Sequence, residues 1–390
     1  MVSVKKVIGS EPRPRIVLGV TSDISLSLLA GFPTHLEASG WDVHVVCAPG
    51  ASASMFVPSR FVTLHTIDMV RSPSLMRDVR SLLRWMSLLR DLKPDLLSVG
   101  TPKAGLLGVL AAWLLGQGRR IYMLRGLRME TEAGLRRLML WCSEKVALLL
   151  ASRVLAVSPS LRERVVQLNL APSSKVDVLG LGSSNGVEFE RFDSLDEEVV
   201  NSLRRDLNLG GATPIVGFVG RLVRDKGLVE LLGAHRALLS RRVPHKLLIV
   251  GSIDDEPEVA NLFDAQEADQ IVVTGHVPDV APYFALMDVF CLPTHREGFP
   301  NVVLEASSAS IPTVTTDATG AVDSVLDKET GRIVKVGSTE QLSNALQELV
   351  MDRRLALEYG KNALEWVKVN YARKDVWART EKYYRALIEQ

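Results

Sequence analysis

Two carboxylates, Glu297 and Glu305, stand eight positions apart in the stretch CLPTHREGFPNVVLEA, Cys291 to Ala306. The apolar run Val289 to Leu292 reads as a strand and the polar residues after it as a loop. Pro300 then opens a helix, in whose first turn a missing N–H costs nothing. The free backbone N–H groups at such a helix start favour an anion. One carboxylate therefore sits at the helix mouth. The other lies about one and a half turns in, roughly 7 Å further along at 1.5 Å per residue. That span suits a ligand with hydroxyls at both ends and phosphate between, as in a sugar nucleotide. A second cluster lies upstream in GFVGRLVRDKG, Gly217 to Gly227. A strand ends at Val219, Gly220 lets a ligand approach the backbone, and Arg221 and Lys226 are spaced so that a tight turn aims both at one anion. Charge-assisted hydrogen bonds of about 1.5–3 kcal/mol each would stabilise a departing diphosphate without a metal. Two cations in a solvated turn are the alternative. It weakens because Glu297 and Glu305 follow two strands later.

The elements that must hold these groups alternate along the whole chain. Arg15 to Val20, a polar loop, a helical pattern through Leu36 and the strand-like VHVVCA from Val43 make a βαβ opening. The pattern repeats through Phe61 to Ile67, Ser74 to Leu92, Leu96 to Val99, Ala104 to Leu115 and Ile121 to Leu124. Helix Leu135 to Leu150, strand Arg153 to Val157 and a helix capped by Ser158 follow. Gly180 to Phe192 (GLGSSNGVEFERF) carries no apolar period and marks the expected domain boundary, giving domains 1–190 and 191–390. The alternation then restarts at Ile215, with Asp279 capping a helix to Met287 and a final helical stretch from Arg353 to Ile388. Short apolar strands between helices predict two doubly wound α/β domains with parallel sheets, and a ligand at the carboxyl ends of strands in the cleft between them.

Composition narrows the function. Of 390 residues, 47% are hydrophobic and 23% charged, which predicts a globular chain of two or three domains. Three cysteines at no metal-ligand spacing argue against a disulfide framework and a zinc site, and point to a reducing compartment, the cytosol by default. Ala104 to Gly116, the longest apolar stretch, falls well short of the roughly 20 residues that span a bilayer, and the first 15 residues lack the apolar core of a secretion signal. Up to Glu190 there are 23 Lys+Arg against 15 Asp+Glu, a balance of +8; the remainder balances at −7. A basic half joined to an acidic half disfavours nucleic acid and fits one half facing an anionic surface, or simply two solvated faces.

Four segments together resemble the retaining glycosyltransferases of family 4, over nearly the whole chain. They are GRLxxxKG at Gly220 to Gly227, GHVPDV at Gly275 to Val280, EGFPNVVLEA at Glu297 to Ala306, and GxxNGV at Gly182 to Val187. The resemblance implies the GT-B fold, two Rossmann-like domains facing across a cleft, with the C-terminal helix 370–390 packing back on the first. It implies that Arg221 and Lys226 hold the donor diphosphate, that Glu305 accepts from the ribose diol, and that Glu297 contacts the donor sugar. Gly220, Gly298, Phe299, Pro300, Asn301 and Val302 would present backbone to sugar and phosphate, and Val277 to the base. No cofactor and no metal is implied. The reaction would be sugar transfer with retention, a phosphate oxygen taking the acceptor's proton; a double displacement through Glu297 is the other route open to a carboxylate there. The first loop reads TSDISLSLLAG where many members carry two adjacent glycines, and Arg125 stands where a histidine is expected. TPKAGLLG and RGLRMETE (Thr101 to Gly108, Arg125 to Glu132) are similar to bacterial enzymes that extend lipid-diphosphate-linked sugars. Lys103, Arg125 and Arg128 are then candidates for the acceptor's phosphates, or surface cations beside helix ends.

The expectation is a cytoplasmic glycosyltransferase that moves a hexose or N-acetylhexosamine from a UDP-sugar to a lipid-linked saccharide for a bacterial surface glycan. Arginines mixed with tryptophan and leucine at Arg84 to Leu92 and Leu135 to Leu150 suit peripheral contact with the anionic inner face of the membrane, though buried core helices read the same way. His295 either lines the donor pocket or caps its loop, the second being favoured. Asp254 and Asp255 read as solvated surface. An epimerase or hydrolase of the same fold, and a non-catalytic sugar-nucleotide scaffold, are the alternatives.

Overall fold

The computed structural model describes residues 13–70, 74–253, 259, 262–263 and 269–389; the first 12 residues and the pair Asp254 and Asp255 lie outside the described residues. Among the described residues, thirteen strands form two sheets. The first holds β1 (Arg15–Gly19), β2 (Asp42–Cys47), β3 (Val62–Thr66), β4 (Leu96–Gly100), β5 (Arg120–Leu124), β6 (Arg153–Ala156) and β7 (Val176–Asp177), in the order β3-β2-β1-β4-β5-β6-β7. The second holds β8 (Ile215–Val219), β9 (Lys246–Val250), β10 (Ile271–Val273), β11 (Val289–Leu292), β12 (Thr313–Thr316) and β13 (Gly331–Val334), in the order β10-β9-β8-β11-β12-β13. β1 pairs in parallel with β2 and β4, and β8 with β9 and β11. Strands β4, β8, β11 and β12 are buried along their full length, as a sheet covered on both faces requires. β8 (IVGFV) and β11 (VFCL) carry no polar side chain for that reason, while β12 (TVTT) satisfies a buried hydroxyl internally, Thr315 Oγ1 donating to Leu292 O at 2.9 Å. The expected two parallel-sheet α/β domains are present.

The strand order reverses between β8 and β11 in the second sheet. At such a switch point the connections leaving two adjacent strands run to opposite faces, and a crevice opens above their carboxyl ends. The segments that follow β8 and β11 are the two that carry Arg221, Lys226 and Glu297.

By compactness the chain divides into two units. One holds the described residues up to Met123, Val146–Val154 and the residues from Glu381 on; the other holds Leu124–Lys145 and Leu155–Thr380. Within the first, Tyr384 Oη lies 2.8 Å from Ser98 Oγ on β4, and Trp41 Nε1 donates to Glu381 Oε1 at 3.2 Å. Within the second, Phe218, Phe284, Phe290 and Leu304 are fully buried around the sheet.

Two helix boundaries differ from expectation. The stretch from Arg353 to Ile388 is two helices, Arg353–Asn370 and Arg373–Ile388, because Ala372 forms a bridge with Val187: Val187 N donates to Tyr371 O and Arg373 N to Val187 O, both at 2.9 Å. Those long-range bonds replace helical ones, and periodicity has no means of signalling them. The helix after Asp279 is a single turn, Ala281–Phe284, with Asp279 accepting from Ala281 N at 2.9 Å. It cannot continue past Met287, since Asp288 N donates to Ile215 O at the start of β8. Among the described residues, no helix is long and apolar enough to cross a membrane.

Candidate active site

Bare backbone forms the floor of the switch point. Gly220, Gly251 and Gly275 follow β8, β9 and β10 and all have positive φ, at +155°, +152° and +74°. Gly220 N donates to Val250 O at 2.9 Å and Gly251 N to Gly275 O at 3.0 Å, and a Cβ on Gly251 would stand 1.8 Å from Gly220 O. Side chains are thus excluded from three neighbouring strand ends, where a ligand can approach the main chain. Gly220 was legible in its motif. Gly275 opens the GHVPDV segment; Gly251 was not singled out, though it directly follows the short apolar strand Lys246–Val250, which is the signal that could have found it.

From this floor the chain passes through Arg221, exposed, and a single 3₁₀ turn, Arg224–Lys226, closed by Gly227 at φ +76°. A Cβ on Gly227 would lie 1.9 Å from Pro293 O, so this glycine presses the turn against the loop that follows β11. That loop carries Glu297, and the Lys226 ammonium pairs with its Oε1. Both are largely withdrawn from solvent, with side chains 21% and 14% exposed. The structure therefore joins Lys226 to Glu297 and places Arg221 five residues earlier on the open side of the same turn.

The loop is held by its own polar groups. Glu297 N donates to Thr319 O at 2.9 Å, and His295 N to Asp225 O at 2.8 Å, while His295 Nε2 and Glu230 Oε1 are 3.0 Å apart. His295 thus secures the loop, as favoured. Gly298 is required: a Cβ there would sit 2.2 Å from Arg125 O and 3.1 Å from Gly126 N. This close approach brings the backbone of Arg125 against the Glu297 loop. Arg128, three residues on, is exposed. Lys103 lies in the other unit, and its ammonium is 2.7 Å from Asp78 Oδ1, an ion pair that accounts for its charge without an acceptor.

Pro300 is the N-cap of the helix Asn301–Ser308 rather than a residue of its first turn. Its carbonyl accepts from Val303 N at 3.0 Å, and no side chain caps the helix, which leaves the N–H groups of Asn301 and Val302 at the mouth. Phe299 is buried, its ring 5.2 Å from that of Tyr371. Val277 is partly buried against the core of the second sheet. Glu305 is the fifth residue of the helix, and burial pushes its carboxyl up to about 7. Arg191 and Arg373 draw it back down and Asp279 adds to the rise. Arg191 pairs with Asp279, and Arg373 with Glu188 at 2.8 Å. The charged surroundings of Glu305 come from segments far apart in the chain; Asp279 was read from sequence only as a helix cap, and Arg191, Arg373 and Glu188 were not picked out.

Residues 33–188 match the family described as Glycosyltransferase Family 4, and residues 199–366 the family described as Glycosyl transferases group 1. The capsular polysaccharide biosynthesis glycosyltransferase CapM of Staphylococcus aureus is 35% identical over 374 residues, which cover 95% of this chain and 97% of that protein. This chain is a family 4 glycosyltransferase. Another member, the N,N'-diacetylbacillosaminyl-diphospho-undecaprenol alpha-1,3-N-acetylgalactosaminyltransferase of Campylobacter jejuni, is 25% identical over 285 residues, 71% of this chain and 73% of its own. Among solved structures, Anabaena HepE in complex with UDP matches with a TM-score of 0.76 at 18% identity, over 96% of this chain and all of that one. The fold of this family 4 enzyme is GT-B.

Proposed function

We propose that this glycosyltransferase acts in bacterial surface or capsular polysaccharide synthesis, moving a hexose or N-acetylhexosamine from a UDP-sugar to a lipid-diphosphate-linked saccharide, with retention and without a metal. The observation that carries this reading is the Lys226–Glu297 pair, set at the switch point beside an open helix mouth in a chain of this family. On donor binding Lys226 turns to the diphosphate, and Glu297, released, accepts from the sugar's hydroxyls. Arg221 takes the diphosphate from the open side. Gly220 and the backbone of Gly298 to Val302 meet phosphate and sugar, Val277 flanks the base, and Glu305 holds the ribose diol, which a carboxylate can accept at both hydroxyls. The bond from C1 to the diphosphate oxygen then breaks with its electrons going to phosphate, where the two cations stabilise the growing charge. The acceptor hydroxyl attacks the same face, and a phosphate oxygen takes its proton. Arg125 and Arg128, carried on a segment whose backbone touches the Glu297 loop, would meet the acceptor's phosphates. Lys103 is the weakest of the three candidates, given its pair with Asp78.

The relatives support the two substrates separately: HepE was solved with UDP, and the Campylobacter enzyme acts on a diphospho-undecaprenol sugar. Calorimetric titration with UDP, GDP and ADP in EDTA tests the donor side, micromolar binding of UDP being the expected result. Transfer from the matching sugar nucleotide to an undecaprenyl-diphosphate N-acetylhexosamine, with the product's anomeric configuration read by NMR, tests the reaction. An inverted product, turnover that needs no acceptor, or activity lost in EDTA and restored by magnesium would each overturn part of the reading.

Exposed apolar side chains support a place of action at the membrane surface. On the helix Leu75–Leu92, Leu75 and Met76 are 84% and 85% exposed beside Arg77, Arg80 and Arg84; on Gly134–Leu150, Leu135 is 72% exposed beside Arg136 and Arg137, with Leu138 and Met139 also outward. Within Arg84 to Leu92 the expected apolar anchors Trp85 and Leu89 are buried, as in a core helix, so the support comes from the outward residues just named; an interfacial helix inserts such residues and sets its arginines at the headgroups. A peripheral position on the inner face of the cell membrane is therefore part of the proposal. Vesicles containing phosphatidylglycerol are expected to sediment the protein, and Leu135→Glu with Met139→Glu to reduce binding at least several-fold; equal binding to neutral vesicles would sink it.

A further inference from the structure

Asp225 has no part in the roles above, yet three segments meet on it. Its carbonyl accepts from His295 N at 2.8 Å and from Thr294 Oγ1 at 3.0 Å. Its carboxylate oxygen Oδ2 accepts from Arg296 twice, from Nη2 at 2.7 Å and Nε at 3.0 Å, and from Thr131 Oγ1 at 3.2 Å. Arg296 Nε also donates to Thr131 Oγ1 at 2.9 Å. The residues on either side of this cluster are the ones the reaction uses: Lys226 follows Asp225 and Glu297 follows Arg296, and Thr131 lies three residues beyond Arg128. Two guanidinium nitrogens converging on one charged oxygen make a fork that holds Arg296 by two charge-assisted bonds. Here the fork joins two turns at the positions just before the ion-paired groups, and the Asp225 carbonyl fastens the same turns a second time through backbone and hydroxyl.

We propose that Asp225 is a positioning residue for sugar transfer, which through Arg296 and Thr131 sets the Lys226 ammonium at the height of Glu297, where the donor's diphosphate must lie. The proposal rests on the reading of Lys226 given above. Lys226 has a flexible four-carbon stem and a compact charge, so its position at the phosphates depends on where its backbone is held. Displacement of a stabilising group by about 1 Å costs on the order of 10²-fold in rate.

The test uses the full chain. Asp225→Asn keeps the shape but loses the charge of the fork, and is expected to lower kcat roughly ten- to a hundredfold with the donor's KM within about threefold of wild type. Made on the Lys226→Ala background, it should cost less than about twofold more, because nothing remains to be positioned. Arg296→Gln removes the contact from the other partner and should repeat both results. A second readout needs no turnover: with lysines reductively ¹³C-methylated and the Lys226 signal assigned by its absence in Lys226→Arg, Asp225→Asn should shift that signal. A full-rate Asp225→Asn, or a loss of equal size on the Lys226→Ala background, would overturn the proposal. Should the wild type transfer no sugar, the reading of the reaction fails, and an unmoved Lys226 signal is then what overturns the positioning role.

Discussion

Replacing Lys226 by alanine is expected to lower the turnover number by about 10²–10³-fold while leaving the donor's KM within a few-fold, by analogy with the loss of one preorganised donor to a developing anion. The split follows from when the charge appears. In the proposed binding mode the diphosphate is already ionised in the ground state and would be met by Arg221 and the backbone of the helix mouth as well; extra negative charge would grow on it only as the glycosidic bond breaks, where Lys226 is proposed to act. The substitution also leaves Glu297, 14% exposed and now unpaired, facing the donor sugar. Lys226→Arg is not expected to rescue the rate, since a planar fork cannot take the place of a compact ammonium between a carboxylate and a phosphate. Steady-state kinetics with the donor varied decide the matter. A Lys226→Ala enzyme at full rate removes this residue from the mechanism, and a KM raised with kcat unchanged makes it a ground-state contact.

Glu305→Gln should act in two opposite directions. Hydrogen bonds to a charged acceptor contribute about 1.5–3 kcal/mol, so loss of the carboxylate is expected to weaken UDP binding roughly 10- to 100-fold at pH 8. Without ligand the same change should stabilise the fold. Burial raises this carboxyl to about 7 from an unfolded value of 4.5. The folded chain therefore keeps a proton that the unfolded chain has released, and stability falls as pH climbs between those values. The carboxyl's favourable contribution is whole below about pH 4.5 and gone above about 7. Glutamine does not titrate and escapes this loss, by on the order of 2–3 kcal/mol above pH 7. The same ionisation makes donor binding pH-dependent: UDP should bind wild type more tightly at pH 8 than at pH 6, and bind Glu305→Gln alike at both. Thermal unfolding and calorimetry at the two pH values are the measurements. Equal wild-type affinity at both would sink the assignment of Glu305 to the ribose diol.

Wherever a signal is local, the sequence carried it. The strands β1, β8 and β11 are short apolar runs between helices, and their parallel pairing follows because such runs must be covered on both faces. The spacing of Glu297 and Glu305 across Gly298 to Pro300 marked a strand, loop and helix, which the structure contains with Pro300 moved one place outward to the cap. The break at Tyr371 and Ala372 was invisible, because the helical pattern on either side is good and only hydrogen bonds to Val187 interrupt it. Lys103 read as a free cation until Asp78, on another helix, was found beside it.

What the amino-acid sequence determined by itself is the set of elements and the groups they carry: two carboxylates, two cations and a proline-opened helix, in types and spacings legible within a few residues of one another. The tertiary structure decided how those groups are set. That Lys226 is paired with Glu297, that Gly298 must admit the backbone of Arg125, that Asp225 ties the two turns together, and that Glu305 holds its proton toward neutrality all depend on segments distant in the chain. Pairing and desolvation are properties of surroundings, and a chain acquires its surroundings only by folding.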